Sequence, residues 1–212
     1  INVGFLHRGD DPATTGAGEV EHGWFTDTLA GTTATTLGDE LWAFIPQELL
    51  PQLQFLADPQ YRHVYYVDLK PKVTDVRIFT DDGPAGTHPG GWGTILIGGM
   101  RLGGSCKNCI LGGGGQELQI NNFNGVAGAT RVFRSSYFVL DITDPDNPRL
   151  LFTFTDADLG LTTSFPAVVR VNPTLDGKTS NTNAKWFMLV GSGPTEYSAG
   201  SYQPATLFVV NL

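Results

Sequence analysis

Trp92-Gly93-Thr94-Ile95-Leu96-Ile97-Gly98-Gly99 reads twice in this chain, the second time as Trp186-Phe187-Met188-Leu189-Val190-Gly191-Ser192-Gly193. Each run is led by an aromatic residue, is apolar at nearly every position and is closed by small residues. Such a run reads as a strand covered on both faces, because a half-exposed strand would alternate apolar with polar. Each run is followed by a second one, Tyr137-Phe138-Val139-Leu140-Asp141-Ile142 after the first and Leu207-Phe208-Val209-Val210-Asn211-Leu212 after the second. The sequence therefore carries two copies of one β unit, and the first copy holds a longer insertion between its runs. A lone β unit cannot bury both of its faces, so repeated units stack on one another. The expected fold is all-β, a partial β-propeller with a short helical insertion, in which residues 1–212 form part of a single propeller domain.

Composition agrees with many short strands joined by turns. Of 212 residues, 27 are Gly and 13 Pro, with 41% hydrophobic and 16% charged. A charged share below the usual figure of about 25% still leaves a globular rather than a disordered chain. The net charge is −8 and the pI about 4.8. An acidic chain without a Lys/Arg cluster is a poor partner for a phosphate backbone, so nucleic acid is excluded. No apolar run reaches the roughly 18 residues that a membrane span needs. The chain opens on Ile1 and closes on Phe208–Leu212, both in strand-like sequence and without an initiating Met. That pattern is expected of a piece of a longer protein.

Working outward, residues 1–7 read as a short strand, and residues 8–36 are a Gly/Thr/Asp/Ala-rich loop insertion. Leu41–Ile45 reads as a compact strand. Pro46 then stands at a first helical position, and Leu49, Leu50, Leu53 and Leu56 recur at helical spacing. Pro51 interrupts that pattern, which predicts one broken helix or two short turns. Val64–Val67 and Val73–Phe79 return to β-branched and aromatic composition and read as strands. A second long loop insertion spans 103–135.

These residues resemble, in order from residue 5 to about 170, those of the PilY-type group of type IV pilus proteins. The resemblance is carried by Leu6-His7, by Gly38-Asp39-Glu40-Leu41-Trp42-Ala43-Phe44-Ile45-Pro46, by Leu49-Leu50-Pro51, by Tyr61 and His63, and by Tyr65-Tyr66-Val67-Asp68. It continues through Trp92–Gly99 with Gly103-Gly104, and through Tyr137–Pro145 with Asn147-Pro148. The resemblance implies a propeller like that of quinoprotein dehydrogenases and a non-catalytic role in pilus assembly, adhesion and twitching motility. It also implies export through the periplasm to the cell surface, and contacts with the remainder of its own chain, with other pilus subunits, or with a host or surface ligand. The group carries a calcium-binding loop of Asp-x-Asp-x-Asn type, and that pattern is not found in this chain. No cofactor is otherwise called for.

Several residues are candidates for chemistry. Cys106 and Cys109 lie in the second insertion, flanked by Gly103-Gly104 and Gly112 to Gly115. In a secreted protein two cysteines pair, and a structural disulfide is expected. Zinc would require two further ligands, with His7, His22, His63 and His88 the histidines to draw on, and free thiols are the third reading. A c-type haem would need His, not Ile110, after the second cysteine. Arg8-Gly9-Asp10 is an integrin-type tripeptide at a strand end, a receptor-binding candidate whose ordinary reading is a turn. Asp141, Asp144, Asp146 and Asn147 offer oxygens that could wrap a calcium ion, although Asp-Pro and Asn-Pro pairs also make plain turns. Asn172, Asp176, Asn181 and Asn183 form a similar polar loop. No nucleophile elbow, phosphate loop, dinucleotide fingerprint or HExxH is present, so no enzyme is expected. The alternatives on the same fold are a quinoprotein-like oxidoreductase, whose adjacent-cysteine ring the two-residue spacing here departs from, and a metal-binding surface module. A purely structural half-propeller contacting other subunits is a third.

Overall fold

Both repeated runs form central strands. The computed structural model describes residues 40–107, 109, 117–172 and 184–212 in full, and residues 5–8 and 23–26 by their backbone. Eleven strands are found among them, numbered here in chain order. β1 (Phe5–Arg8) and β2 (Gly23–Thr26) form an antiparallel hairpin, with Leu6 opposite Phe25 and His7 opposite Trp24. A strand thus lies inside the stretch read as the loop 8–36. These two strands belong to a unit of their own, Ile1–Phe44, whereas Ile45–Leu212 forms a second unit.

In the second unit, β3 (Lys72–Arg77), β4 (Trp92–Gly99), β7 (Tyr137–Asp141) and β8 (Arg149–Phe154) make a four-stranded antiparallel sheet in that order. A hairpin of β5 (Leu118–Asn121) and β6 (Thr130–Phe133) is inserted between β4 and β7. β9 (Ala167–Val171), β10 (Lys185–Gly191) and β11 (Leu207–Asn211) make a three-stranded sheet with β10 in the middle. β4 and β10, the paired Trp-led runs, are thus each the second strand of their sheet, and β7 and β11 each the third.

One face of each sheet meets in a shared interior. Val76, Ile95, Ile97, Tyr137 and Val139 of the first sheet are buried with Met188 and Val190 of the second and Leu159 of the link between them. Trp186, Phe208, Val210 and Leu212 pack at the margin. Trp92 meets its repeat counterpart Trp186 edge-to-face at 5.9 Å between ring centres, and Phe154 meets Phe208 at 5.4 Å. Close packing of the β strands uses glycine: a Cβ at Gly98 would fall 2.2 Å from the Phe138 ring.

Two of the strand expectations are corrected, and of the two readings of the leucine-rich stretch the single helix is found. Leu41–Ile45 and Val64–Val67 are not strands: neither enters a sheet ladder among the described residues, and strand-like composition alone does not make one. The leucine-rich stretch forms a single run of 3₁₀ helix, Gln47–Ala57, rather than two turns. Pro51 sits inside it and supplies no N–H for an α ladder, while Leu49 and Gln52 are its buried positions.

Candidate functional site

The second insertion is built onto the end of the first sheet by a hub of small hydroxyl residues. Thr162, wholly buried in the link between the sheets, accepts the amides of Met100 and Arg101 through Oγ1 at 2.9 and 3.1 Å. Its hydroxyl also pairs with Ser135 Oγ at 3.0 Å, and Ser135 Oγ accepts the Thr162 amide at 3.2 Å. Ser105 ties the two ends of the insertion together: its carbonyl accepts the Ser135 amide, its hydroxyl accepts the Leu118 amide and donates to the Phe133 carbonyl. Gly104 takes a φ of +81° here, with a Cβ position 2.8 Å from Ser135 Cα, so only glycine fits.

Cys106 and Cys109 are joined in a disulfide with Cα atoms 5.1 Å apart. Both are buried against Leu161 and Leu102, and the Cys109 amide donates to the Cys106 carbonyl at 3.2 Å. The pair closes a single turn and packs as an apolar knob. The glycine run 112–115 lies outside the described residues. Beyond it, the β5–β6 hairpin places Arg131 between the Phe123 and Phe133 rings, 5.1 Å from each centre, with its guanidinium 3.4 Å from Glu48 of the 3₁₀ helix. Arg134 pairs with Glu117 at 2.5 Å.

At the opposite end of β7, Asp141 is buried and fully engaged. Its Oδ1 accepts the Thr143 hydroxyl at 2.7 Å and the Thr143 amide at 3.1 Å; its Oδ2 lies 3.0 Å from His88 Nε2 and 3.2 Å from Arg149. Burial pushes the carboxyl up, but the Thr143 bonds, Arg149 and His88 outweigh it and hold the group below the usual carboxylate range. His88 stacks on Phe79 at 4.0 Å, and its amide donates to Asp82 Oδ1 at 2.8 Å. Asp144 is a turn former: its Oδ1 accepts the Asp146 amide at 3.0 Å, its Oδ2 the Asn147 side-chain amide at 2.9 Å, and its carbonyl the Asn147 amide at 3.2 Å. Asp82, His88, Asp141, Asp144, Asn147 and Arg149 line a depression of about 300 Å³.

Of the four oxygen-bearing candidates, Asp141, Asp144 and Asn147 line that depression and Asp146 does not. The carboxylate oxygens of Asp141 and Asp144 are taken by protein donors, and His88 and Arg149 stand beside Asp141 where a calcium ion would need further oxygens. No group of three His, Cys, Asp or Glu side chains able to hold a metal is found among the described residues. The residues present do not fit calcium. Arg8 ends β1 opposite Gly23, while Gly9 and Asp10 lie outside the described residues, as do His22, Asp176, Asn181 and Asn183. His63 packs edge-on against Tyr65 at 4.9 Å. The His88–Asp141 pairing, 53 residues apart, had no signal in the sequence, since no motif connects the two residues.

No family model matches the chain. Among curated proteins it is 31% identical over 178 residues to the "Type IV pilus biogenesis factor PilY1 homolog" of Xylella fastidiosa (strain Temecula1), covering 82% of this chain and 10% of that protein. It is 30% identical over 178 residues to the "Type IV pilus biogenesis factor PilY1" of Pseudomonas aeruginosa (strain UCBPP-PA14), covering 81% of this chain and 11% of that protein. Among solved structures, the Pseudomonas aeruginosa PilY1 C-terminal domain aligns at a TM-score of 0.45 and 25% identity, over 91% of this chain and 26% of that one. The chain spans about a tenth of the length of the curated relatives it matches. At about 30% identity over four fifths of its length, the chain is homologous to a stretch of the PilY1 proteins.

Proposed function

We propose that this chain is a stretch of a non-catalytic β-propeller in a type IV pilus-associated surface protein, exported through the periplasm and acting in pilus assembly and adhesion. Its relatives are pilus biogenesis factors by name. The observation that carries the propeller is the way the two repeats pack. In the first sheet the face bearing Ile95, Ile97, Tyr137 and Val139 is turned to the shared interior. The repeat equivalents of those four are Leu189, Gly191, Leu207 and Val209, and they lie on the opposite face of the second sheet. The interior is met instead by Trp186, Met188, Val190, Phe208 and Val210. Unlike faces are therefore in contact, a head-to-tail arrangement that can be repeated indefinitely and closes into a ring when the rotation allows.

Propagated once more, that arrangement would lay another sheet on the outer face of β9–β11. That face is apolar and bare, with Val171 47%, Leu207 65% and Val209 59% exposed. The partner for it is the remainder of its own chain or another pilus subunit. The insertions 8–36 and 103–135 would carry surface contacts, with the Cys106–Cys109 disulfide holding the second in place. No observation favours an oxidoreductase.

Excising this stretch in frame from its parent gene in a piliated bacterium tests the role. Loss of surface pili and of twitching, restored by the intact gene, is expected, and unchanged piliation would overturn it. For the fold, the full-length protein should place a further β-sheet over Val209; a helix or loop there would remove the propeller.

A further inference from the structure

The second sheet is one strand short of the first. β3, β4 and β7 have their counterparts in β9, β10 and β11, but among the described residues nothing in the second sheet stands where β8 stands in the first.

β11 has an open ladder on that side. The Ser192 amide donates to the Thr206 carbonyl at 2.8 Å and the Leu212 amide to the Trp186 carbonyl at 2.9 Å. Bonded positions alternate in an antiparallel pair, so Thr206, Phe208, Val210 and Leu212 are turned to β10. The N–H and C=O groups of Leu207, Val209 and Asn211 point away from it. In the first repeat the Ile142 amide donates to the Thr94 carbonyl at 2.9 Å, and the same alternation turns Tyr137, Val139 and Asp141 to β8. Those three are the repeat counterparts of Leu207, Val209 and Asn211. Equivalent backbone groups thus carry a strand in one sheet and none, among the described residues, in the other.

The β11 edge is also undefended. Free edges are kept from pairing by charge, proline or a bulge. Lys72 opens β3 directly after Pro71, a register shift interrupts the pairing of β8, and β9 carries Arg170. β11, Leu207-Phe208-Val209-Val210-Asn211, has none of these.

β8 points to the same gap independently. Phe152 and Phe154 lie opposite Val139 and Tyr137 and so face the shared interior, yet they are only partly buried. β4 meets β10 through Trp92 and Trp186, and Phe154 of β8 meets Phe208 of β11. The second sheet ends at β11, so no strand of it lies across the interior from β8. A strand added to β11 would lie there and cover both rings. The gap is one strand wide, because a second copy paired through its own β11 would bring its β8 to the place held here by β7. The slot therefore takes a lone extended segment and not another sheet.

We infer that β11 accepts a fourth, antiparallel strand from the remainder of the parent polypeptide, just as β7 takes β8 from its own chain. The residues of that strand opposite Phe208 and Val210 are apolar, since they meet Phe152 and Phe154. This rests on the reading of the chain as a stretch of a longer propeller protein, and it concerns the edge of the second sheet, not its bare face.

The test is residue-level hydrogen exchange on the 212-residue chain, kept dilute enough to sediment as a monomer, and on the full-length parent. In the chain the amides of Leu207, Val209 and Asn211 should exchange about tenfold or more faster than those of Phe208, Val210 and Leu212. In the parent both sets should exchange alike. Val209→Pro removes only an outward N–H, so it should leave the urea midpoint of the chain little changed and lower that of the parent. Thiol labelling of Leu207→Cys in the parent reports separately on the face. Fast amides in the parent would overturn the strand, and with a blocked thiol the covering sheet would still stand. Slow amides beside a reactive thiol would establish the strand and remove the sheet. Protection already present in the monomeric chain, or appearing only as it self-associates, would also overturn the inference.

Discussion

The two sheets are built from the same repeated runs, yet they sit in different surroundings. In the first, the central strand β7 is buried along its whole length: Tyr137 and Val139 face the shared interior, and Phe138 and Leu140 on the other face are only 5% and 2% exposed. In the second, Phe208 and Val210 face the interior while Leu207 and Val209 stand in solvent. Sequence does not separate these strands, since both are apolar at four of five positions. The lesson is that a continuous apolar run reports the number of faces a strand is designed to have covered, not the number covered in a given piece of chain.

The sharpest way to break the comparison is in the shared interior. Ile97→Ala and Met188→Ala each remove a fully buried side chain from the contact between the sheets. Each should lower the stability of the chain by about 2–5 kcal/mol, read as a shift of the urea midpoint. If Ile97→Ala were severe and Met188→Ala nearly neutral, the second sheet would not share the core of the first.

The rim of that interior comes next. Asp141→Ala leaves His88, Arg149 and Thr143 without their acceptor in a buried site and should cost about 2–4 kcal/mol. The pH dependence has a defined sign. The folded carboxyl lies below its ordinary value, so its stabilisation is fully present above the unfolded pKa of about 3.9 and is lost as pH falls through the lower folded value. Urea midpoints taken below about pH 4 should therefore fall less steeply in Asp141→Asn than in the parent chain, and parallel curves would sink the assignment.

A smaller effect is expected at the insertion. Replacing Cys106 and Cys109 together by Ser opens a loop of only a few residues and should cost about 2 kcal/mol or less. The native chain should take up no thiol reagent in denaturant until it is reduced. A loss much above that figure would mean that the knob against Leu161 matters more than the covalent link.

How much of this was legible beforehand follows from what each feature depends on. The four runs at 92, 137, 186 and 207 were readable as strands and as a repeat because apolar strands announce themselves locally. Leu41–Ile45 and Val64–Val67 have the same local composition and form none, because pairing is decided by what lies alongside. The inserted hairpin was missed since Leu118–Asn121 and Thr130–Phe133 are short and half-polar. The cysteine pairing was legible from spacing and compartment. The polar sites were not: Asp141 was picked for its oxygens, but His88 and Arg149 reach it through the fold. A depression lined by Arg101, Thr163 and the loop from Ser192 to Ala205 likewise joins residues that no motif connects.

The smallest effect on stability discriminates most between the two sheets. Leu207→Ser and Val209→Ser lie on the bare face of β11, where little apolar area is buried in this chain, so each should change stability by no more than about 0.5 kcal/mol. The same face, with Val169 and Val171 beside it, is an apolar patch of the kind that drives association. The parent chain should therefore self-associate as its concentration rises, seen as a rising sedimentation coefficient, and the double variant should stay monomeric at equal stability. A double variant as unstable as Ile97→Ala would mean that the face is already covered. The second sheet would then match the first, and the argument for a further sheet on Val209 would go with it.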